Sequence, residues 1–167
     1  HHPQRVRRQP QMCIRDSFEI KTLGTTLDDS AGECFDKIAR KLGLGYPGGP
    51  EIARRSENAI NNKFSFPRPM INSNDHNFSF SGLKTHVINK LQKIELTDES
   101  INNISFELQD SIVETLISKS LKASQDLGIK NIVVTGGVSA NKRLRDKFSQ
   151  VSNYDIFFPD VKFSTDN

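Results

Sequence analysis

The stretch TDESINNISFELQDSIVETLISKSLKASQDLGIKNIVVTGG (residues 97–137) constrains the fold more than any other part of the chain. Ile101, Ile104, Leu108, Ile112, Leu116, Ile117 and Leu121 recur at intervals that keep them on one face of a long helix, roughly 98–127. TDES is a capping signal at its start, and Gly128 is a stop at its end. NIVVTGG (131–137) is short and nearly all apolar, as suits a strand in a sheet covered on both faces. Its two glycines turn it into the helical pattern SANKRLRDKFSQ, and YDIFFP follows as a further strand. Helices alternating with buried strands predict the α/β class.

The upstream half follows the same logic. FEIKTLG (18–24) alternates as a strand ending at Gly24. Asp28 or Asp29 is the expected cap of a helix with Ala31, Cys34, Phe35, Ile38, Ala39 and Leu42 inward, and Asp29, Glu33, Asp36 and Arg40 on the other face. Gly43 and Gly45 stop it, YPGGP reads as a stiff turn, and EIARRSENAI reads as a short helix. Residues 61–77 are rich in Asn, Pro and Ser and read as a long loop. FSFSGLKTHVINKLQKI begins as a strand and turns at Ser81–Gly82 into a helix striped by Leu83, Val87, Leu91 and Ile94.

The chain's 167 residues are enough for one domain with a real core. No apolar run approaches the roughly 18–20 residues that cross a bilayer, so no membrane association is expected. Cys13 and Cys34 make neither a CxxC nor any metal spacing, and a reducing, cytoplasmic setting is the expectation. The net charge of +3 resides entirely in residues 1–17, leaving 19 basic and 19 acidic side chains beyond them. Bulk charge therefore gives no argument for nucleic-acid binding by the body of the chain. Residues 1–17 have no helical or strand period and are expected to be a non-native or disordered segment; a basic RNA-binding arm is the other reading. The domain is expected over 18–167, as a fragment incomplete at both ends, since FSTDN stops on what reads as a helix start.

Three motifs can carry chemistry. The strand–GlyGly–helix unit VVTGGVSANKRLR lets a ligand approach bare backbone at the carboxyl end of a strand. Asn141 there offers both a donor and an acceptor to a ribose or base edge. A tight turn with no ligand is the alternative. In the second motif, Gly48 and Gly49 expose backbone amides between two stiffening prolines, close in sequence to the acids Asp29, Glu33 and Asp36. A solvated acidic face and a plain helix–helix turn are the bland readings. In FSFSGLKT, Ser81 and Thr85 can hydrogen-bond and Lys84 can meet a phosphate, against a simple strand-to-helix corner. His76 and His86 have no metal spacing and read as surface histidines.

Taken in order, DDSAGECFDKIARKLGLGYPGGP, FPRPM, FSFSGLKT, TGGVSANKRLR and STDN resemble the bacterial tRNA N6-adenosine threonylcarbamoyltransferases, once described as O-sialoglycoprotein endopeptidases or glycoproteases. The resemblance covers essentially all of residues 18–167. It implies a lobe of the actin/Hsp70/sugar-kinase type of fold, two related α/β lobes with a nucleotide between them. It also implies transfer of a threonylcarbamoyl group from threonylcarbamoyl-AMP to N6 of the adenosine next to the anticodon, in tRNAs reading codons that begin with A.

By that resemblance Asp36 contacts the adenylate, Gly49 contacts it through its backbone, and Asn141 holds the adenosine part. Asp166 is a ligand of one divalent metal, iron or zinc. No protein nucleophile is implied: the adenine amino group attacks the carbamoyl carbon and AMP leaves, so positioning and charge stabilisation supply the catalysis. The implied partners are the tRNA anticodon loop, a smaller paralogous subunit and an ATPase subunit. Arg54, Arg55, Lys63, Arg68 and Lys84 are candidate RNA phosphate contacts, a solvated surface being the alternative.

This sequence departs from the family pattern in lacking the HxxxH metal ligands, the glycine-rich loop and the phosphate-binding lobe that lie upstream in the family. A single aspartate holds a metal poorly, since catalytic sites need about three protein ligands. The fragment is therefore expected to be inactive alone. The rival functions are a non-catalytic nucleotide-binding scaffold subunit and a small-molecule kinase of the same superfamily.

Overall fold

The computed structural model describes residues 11–16, 19–60 and 63–160. Strands β1 (Gln11–Asp16) and β2 (Glu19–Thr25) form an antiparallel pair, with a register shift at Met12/Cys13. Helices α1 (Ala31–Lys41), α2 (Gly48–Ser56), α3 (Ser81–Leu91) and α4 (Asp98–Leu127) follow, then β3 (Asn131–Val133), a 3-10 turn, α5 (Lys142–Ser149) and β4 (Asp155–Phe157). Strands β3 and β4 pair in parallel. The α/β class read from the sequence holds.

The core is assembled by the helical stripes. Cys34, Phe35, Ile38 and Ala39 of α1 pack with Ile52, Phe80, Leu83 and Val87, and with Ile104, Leu108 and Ile112 of α4. Burying a side chain of this size is worth about 1.5–3 kcal/mol. A second, smaller cluster joins Val113 of α4 to Leu144 and Phe148 of α5, with Ile156 and Phe158 against it.

Helix α4 runs from a Thr97/Ser100 capping box to Gly128 in the left-handed region, φ 67°. Its middle is buried all round, which the apolar stripe does not predict. Glu107, Gln109, Asp110, Ser111, Thr115 and Lys119 are buried as well as the apolar positions. The long loop covers some of them: Glu107 accepts from the Phe66 amide, Ser111 donates to the Pro67 carbonyl, and the Lys119 ammonium reaches Ser73 and Asp75. Helix α5 covers Asp110, with Arg143 and Lys147 on its carboxylate. Buried polar groups are tolerated where they are partnered.

Four local expectations are corrected. Residues 1–17 carry no strand period, yet Gln11–Asp16 pairs with β2. The β3–β4 pair is not covered on both faces within this chain: Val133 is 67% and Phe157 53% exposed. The cap of α1 is Ser30, in a capping box with Glu33, because Asp28 and Asp29 are engaged elsewhere. PGG is not a turn before a helix but the start of one, with Pro47 as N-cap and Gly48 and Gly49 as the first helical residues.

Candidate functional site

Helix α2 is the frame on which the expected ligand contacts meet. At its N-terminus, the Gly48 amide donates to Asp36 Oδ1 at 2.7 Å. Gly48 sits against α1 so closely that a Cβ there would lie 2.6 Å from Asp36 Cα and 2.8 Å from the Phe35 carbonyl oxygen. Gly49 is the opposite case, with nothing within 4 Å of the corresponding position. Asp36 and Gly49 thus lie together at one helix N-terminus, where amides point outward and the peptide dipoles favour an anion.

At the other end of α2, Ser56 Oγ donates to the Ala53 carbonyl and accepts from Gln109 Nε2 at 2.9 Å. Gln109 Oε1 in turn accepts from Asn141 Nδ2 at 2.8 Å. Asn141 is the N-cap of α5, its Oδ1 accepting from the Leu144 amide at 3.0 Å. The helical pattern drawn from Ser139 therefore begins later, at Lys142. Ser139 lies in the 3-10 turn Gly137–Ala140, entered through Gly136 at φ 88°. Gln109 was not found by sequence reasoning. It lies on the flank of the α4 stripe, three residues before Ile112, where a polar residue gives no sign of a distant partner.

The acidic pair at the start of α1 has a different purpose from the one the sequence suggests. Asp28 Oδ1 accepts the amides of Phe80 and Ser81 at 2.8 and 3.1 Å, and its Oδ2 accepts both serine hydroxyls, Ser79 and Ser81. It therefore holds the N-terminus of α3. Burial pushes the Asp28 carboxyl up, but these four hydrogen bonds outweigh it and hold the group below its ordinary range. Asp29 pairs with Lys37 and, at 2.7 Å, with Lys84. Burial again opposes, and the two ammonium groups still lower its pKa.

The basic residues offered as phosphate contacts are each held by a carboxylate of the chain. Arg54 pairs with Glu51, Arg55 with Asp98, Lys63 with Glu99, and Lys84 with Asp29. Arg68 joins Glu107 and Glu114. His86 is exposed, its ring edge-on to Phe66. His76, expected at the surface, is largely covered at 17% side-chain exposure, 3.6 Å from Asp126.

Asp166, expected as a metal ligand, lies outside the described residues. Among the described residues no group of three or more His, Cys, Asp or Glu side chains is placed to hold a metal ion. No helix among them is long and apolar enough to cross a membrane. A surface groove of about 550 Å³ is lined by Ile71, Glu114, Ile117, Leu121, Lys147 and Gln150, and includes none of Asp36, Gly49 and Asn141.

A family model described as TsaD: tRNA N6-adenosine threonylcarbamoyltransferase matches residues 7–167. A curated protein of that name from Thermosipho africanus is 48% identical over 159 residues, covering 93% of this chain and 48% of the relative. Another, from Ralstonia pickettii, is 44% identical over 153 residues, covering 87% of this chain and 44% of the relative. The chain thus spans about half the length of the curated relatives it matches. Among solved structures, the crystal structure of T. kodakarensis HypF matches with a TM-score of 0.60 at 15% identity, over 88% of this chain and 18% of that chain, a likeness of fold alone. With the family model spanning both the PGG and the GGVSAN motifs, the chain belongs to the tRNA N6-adenosine threonylcarbamoyltransferase family.

Proposed function

We propose that this chain carries nucleotide-side contacts of an enzyme that transfers a threonylcarbamoyl group from threonylcarbamoyl-AMP to N6 of adenosine in tRNA. One observation carries the reading. Helix α2 is tied at one end to Asp36 and at the other, through Gln109, to Asn141, so the two motifs expected to touch the adenylate share one rigid element. The eight residue steps from Gly48 to Ser56 span about 12 Å, a scale suited to a nucleotide.

In the proposed reaction the adenine N6 lone pair forms a bond to the carbamoyl carbon. The bond from that carbon to the phosphate oxygen breaks, AMP leaves, and the N6 proton goes to solvent. Asp36 orients the N-terminus of α2 through Gly48. The open position at Gly49 admits the ligand against bare backbone, and Asn141 faces the adenosine. Fixed groups of this kind act by positioning, which removes orientational entropy from the reaction. No side chain is assigned as nucleophile or general base.

The divalent metal implied by the resemblance does not fit the described residues, and no step is derived through it. The candidate basic side chains are paired with carboxylates of the chain, and the tRNA anticodon loop is a proposed partner without assigned residues. A smaller paralogous subunit, an ATPase subunit and a cytoplasmic location complete the proposal.

The test is threonylcarbamoyl-adenosine formation on an unmodified tRNA transcript by the full-length protein carrying this segment, read by mass spectrometry. Asn141→Ala and Asp36→Ala are expected to lower modification at limiting donor. Wild-type yields from both variants at limiting donor would refute the assignment.

A further inference from the structure

We infer that Gln109 is a positioning residue that fixes which way the Asn141 side chain faces; this rests on the proposed role of Asn141 in holding adenosine. Gln109 is 4% exposed, and both ends of its amide are engaged. The order of hydrogen bonds has one direction. Ser56 spends its only proton on the Ala53 carbonyl, so toward Gln109 it can only accept. That places the Gln109 nitrogen at Ser56 and its oxygen at Asn141. Asn141 must then present nitrogen to Gln109 and oxygen to the Leu144 amide. A flipped Gln109 would set two NH2 groups against each other and leave Ser56 without a donor.

The capping bond from Leu144 alone anchors only the oxygen of Asn141. With Gln109 added, both ends of the amide are held, and the side chain keeps one orientation before ligand arrives. Pre-ordering of this sort strengthens binding without changing the chemical step. The same chain of bonds reaches α2, so Gln109 also sets the position of Asn141 relative to the helix that carries Gly49.

The experiment measures Kd for AMP, and KM and kcat for threonylcarbamoyl-AMP, in the full-length protein. Gln109→Leu removes both bonds and is expected to weaken AMP about tenfold and raise KM alike, with kcat at saturating donor held, as follows from losing one oriented hydrogen-bonding group. Gln109→Glu keeps the acceptor for Asn141 and is expected to restore most of the affinity. Ser56→Ala, which frees the Gln109 amide to turn, is expected to raise KM about threefold, and it decides the matter if Gln109→Leu fails to fold. Lower urea midpoints with unchanged Kd and KM in Gln109→Leu and Ser56→Ala would mean a purely structural role and overturn the inference. Asn141→Ala separates the two claims. If it weakens AMP while Gln109→Leu and Ser56→Ala do not, only this inference fails; if it does not weaken AMP, the role of Asn141 fails and this inference with it.

Discussion

Asp36 accepts the backbone N–H of Gly48 at 2.7 Å, across the crossing of α1 and α2, where Gly48 has no room for a side chain. A helix N-terminus leaves its first amides without partners inside the helix. Here a side chain from the preceding helix satisfies one of them, and Pro47 at the N-cap has no side-chain bond to offer. The relationship gives an acidic residue on a polar helix face a definite structural task.

Asp36→Ala leaves the buried Gly48 amide without this acceptor and is expected to cost about 1–3 kcal/mol. Asp36→Asn retains an acceptor oxygen and should cost less. Urea denaturation of the two variants checks the order; equal midpoints would contradict it.

The two glycines of the PGG motif are expected to respond oppositely. Gly48→Ala forces a Cβ against the backbone of α1 and should destabilise by about 1–3 kcal/mol. Gly49→Ala meets nothing within 4 Å and has no left-handed φ. It should be neutral or stabilising by about 0.4–1 kcal/mol, while weakening adenylate binding by occupying the ligand's approach. Thermal melts and a titration with AMP on the same samples separate the effects.

Asp28→Ala removes the acceptor of four hydrogen bonds at the start of α3 and is expected to destabilise by about 2–3 kcal/mol. Hydrogen exchange at the Phe80 and Ser81 amides should accelerate more than at those of α5. Uniform acceleration would contradict a local pin.

Stability is expected to fall in acid. The Ser73 hydroxyl, chiefly, outweighs desolvation and, with Lys119 and the Asn77 amide, lowers the Asp75 carboxyl to about 2. A folded-state pKa below the unfolded value gives stability that is present above the unfolded value and lost as pH falls through the folded one. For Asp75 that window runs from the ordinary 3.8 down to about 2. Asp75→Asn should flatten the pH dependence of the urea midpoint within it; an unchanged slope counts against the loop–α4 contact.

Cys34 gives a prediction of the opposite sign. Burial, above all, pushes its thiol up to about 12, so the neutral form is kept in the fold. This contribution is full below the ordinary thiol value of 9.0 and is lost as pH rises from there to about 12. At neutral pH the native protein should therefore react with a thiol reagent at Cys34 only through unfolding. A rate independent of urea would exclude this.

Apolar spacing made much of the fold legible. The face of α1 is read correctly from Ala31 to Leu42, and α4 from its cap to Gly128, because a helix stripe repeats locally and its stop needs only one glycine. Motif spacing offered Asp36, Gly49 and Asn141 only as candidates beside bland alternatives, and the resemblance alone gave them ligand roles, since an acid on a polar face looks the same whether or not it has a partner. Gln109 carried no signal, because its partners Ser56 and Asn141 are distant in the chain. Asp28 and Asp29 were misread for the same reason: a capping residue is recognised by its neighbours, and theirs are at Ser79–Ser81 and Lys84.

The sequence by itself determined which segments become helices and which faces turn inward, since periodicity, caps and glycine stops act over a few residues. Only the tertiary structure decided where the polar side chains go. Their partners are chosen by the packing of α2, α5 and the long loop around α4, and that packing joins residues that no local pattern connects. The burial of Gln109 and Lys119 follows from it, as does the bond between Asp36 and Gly48.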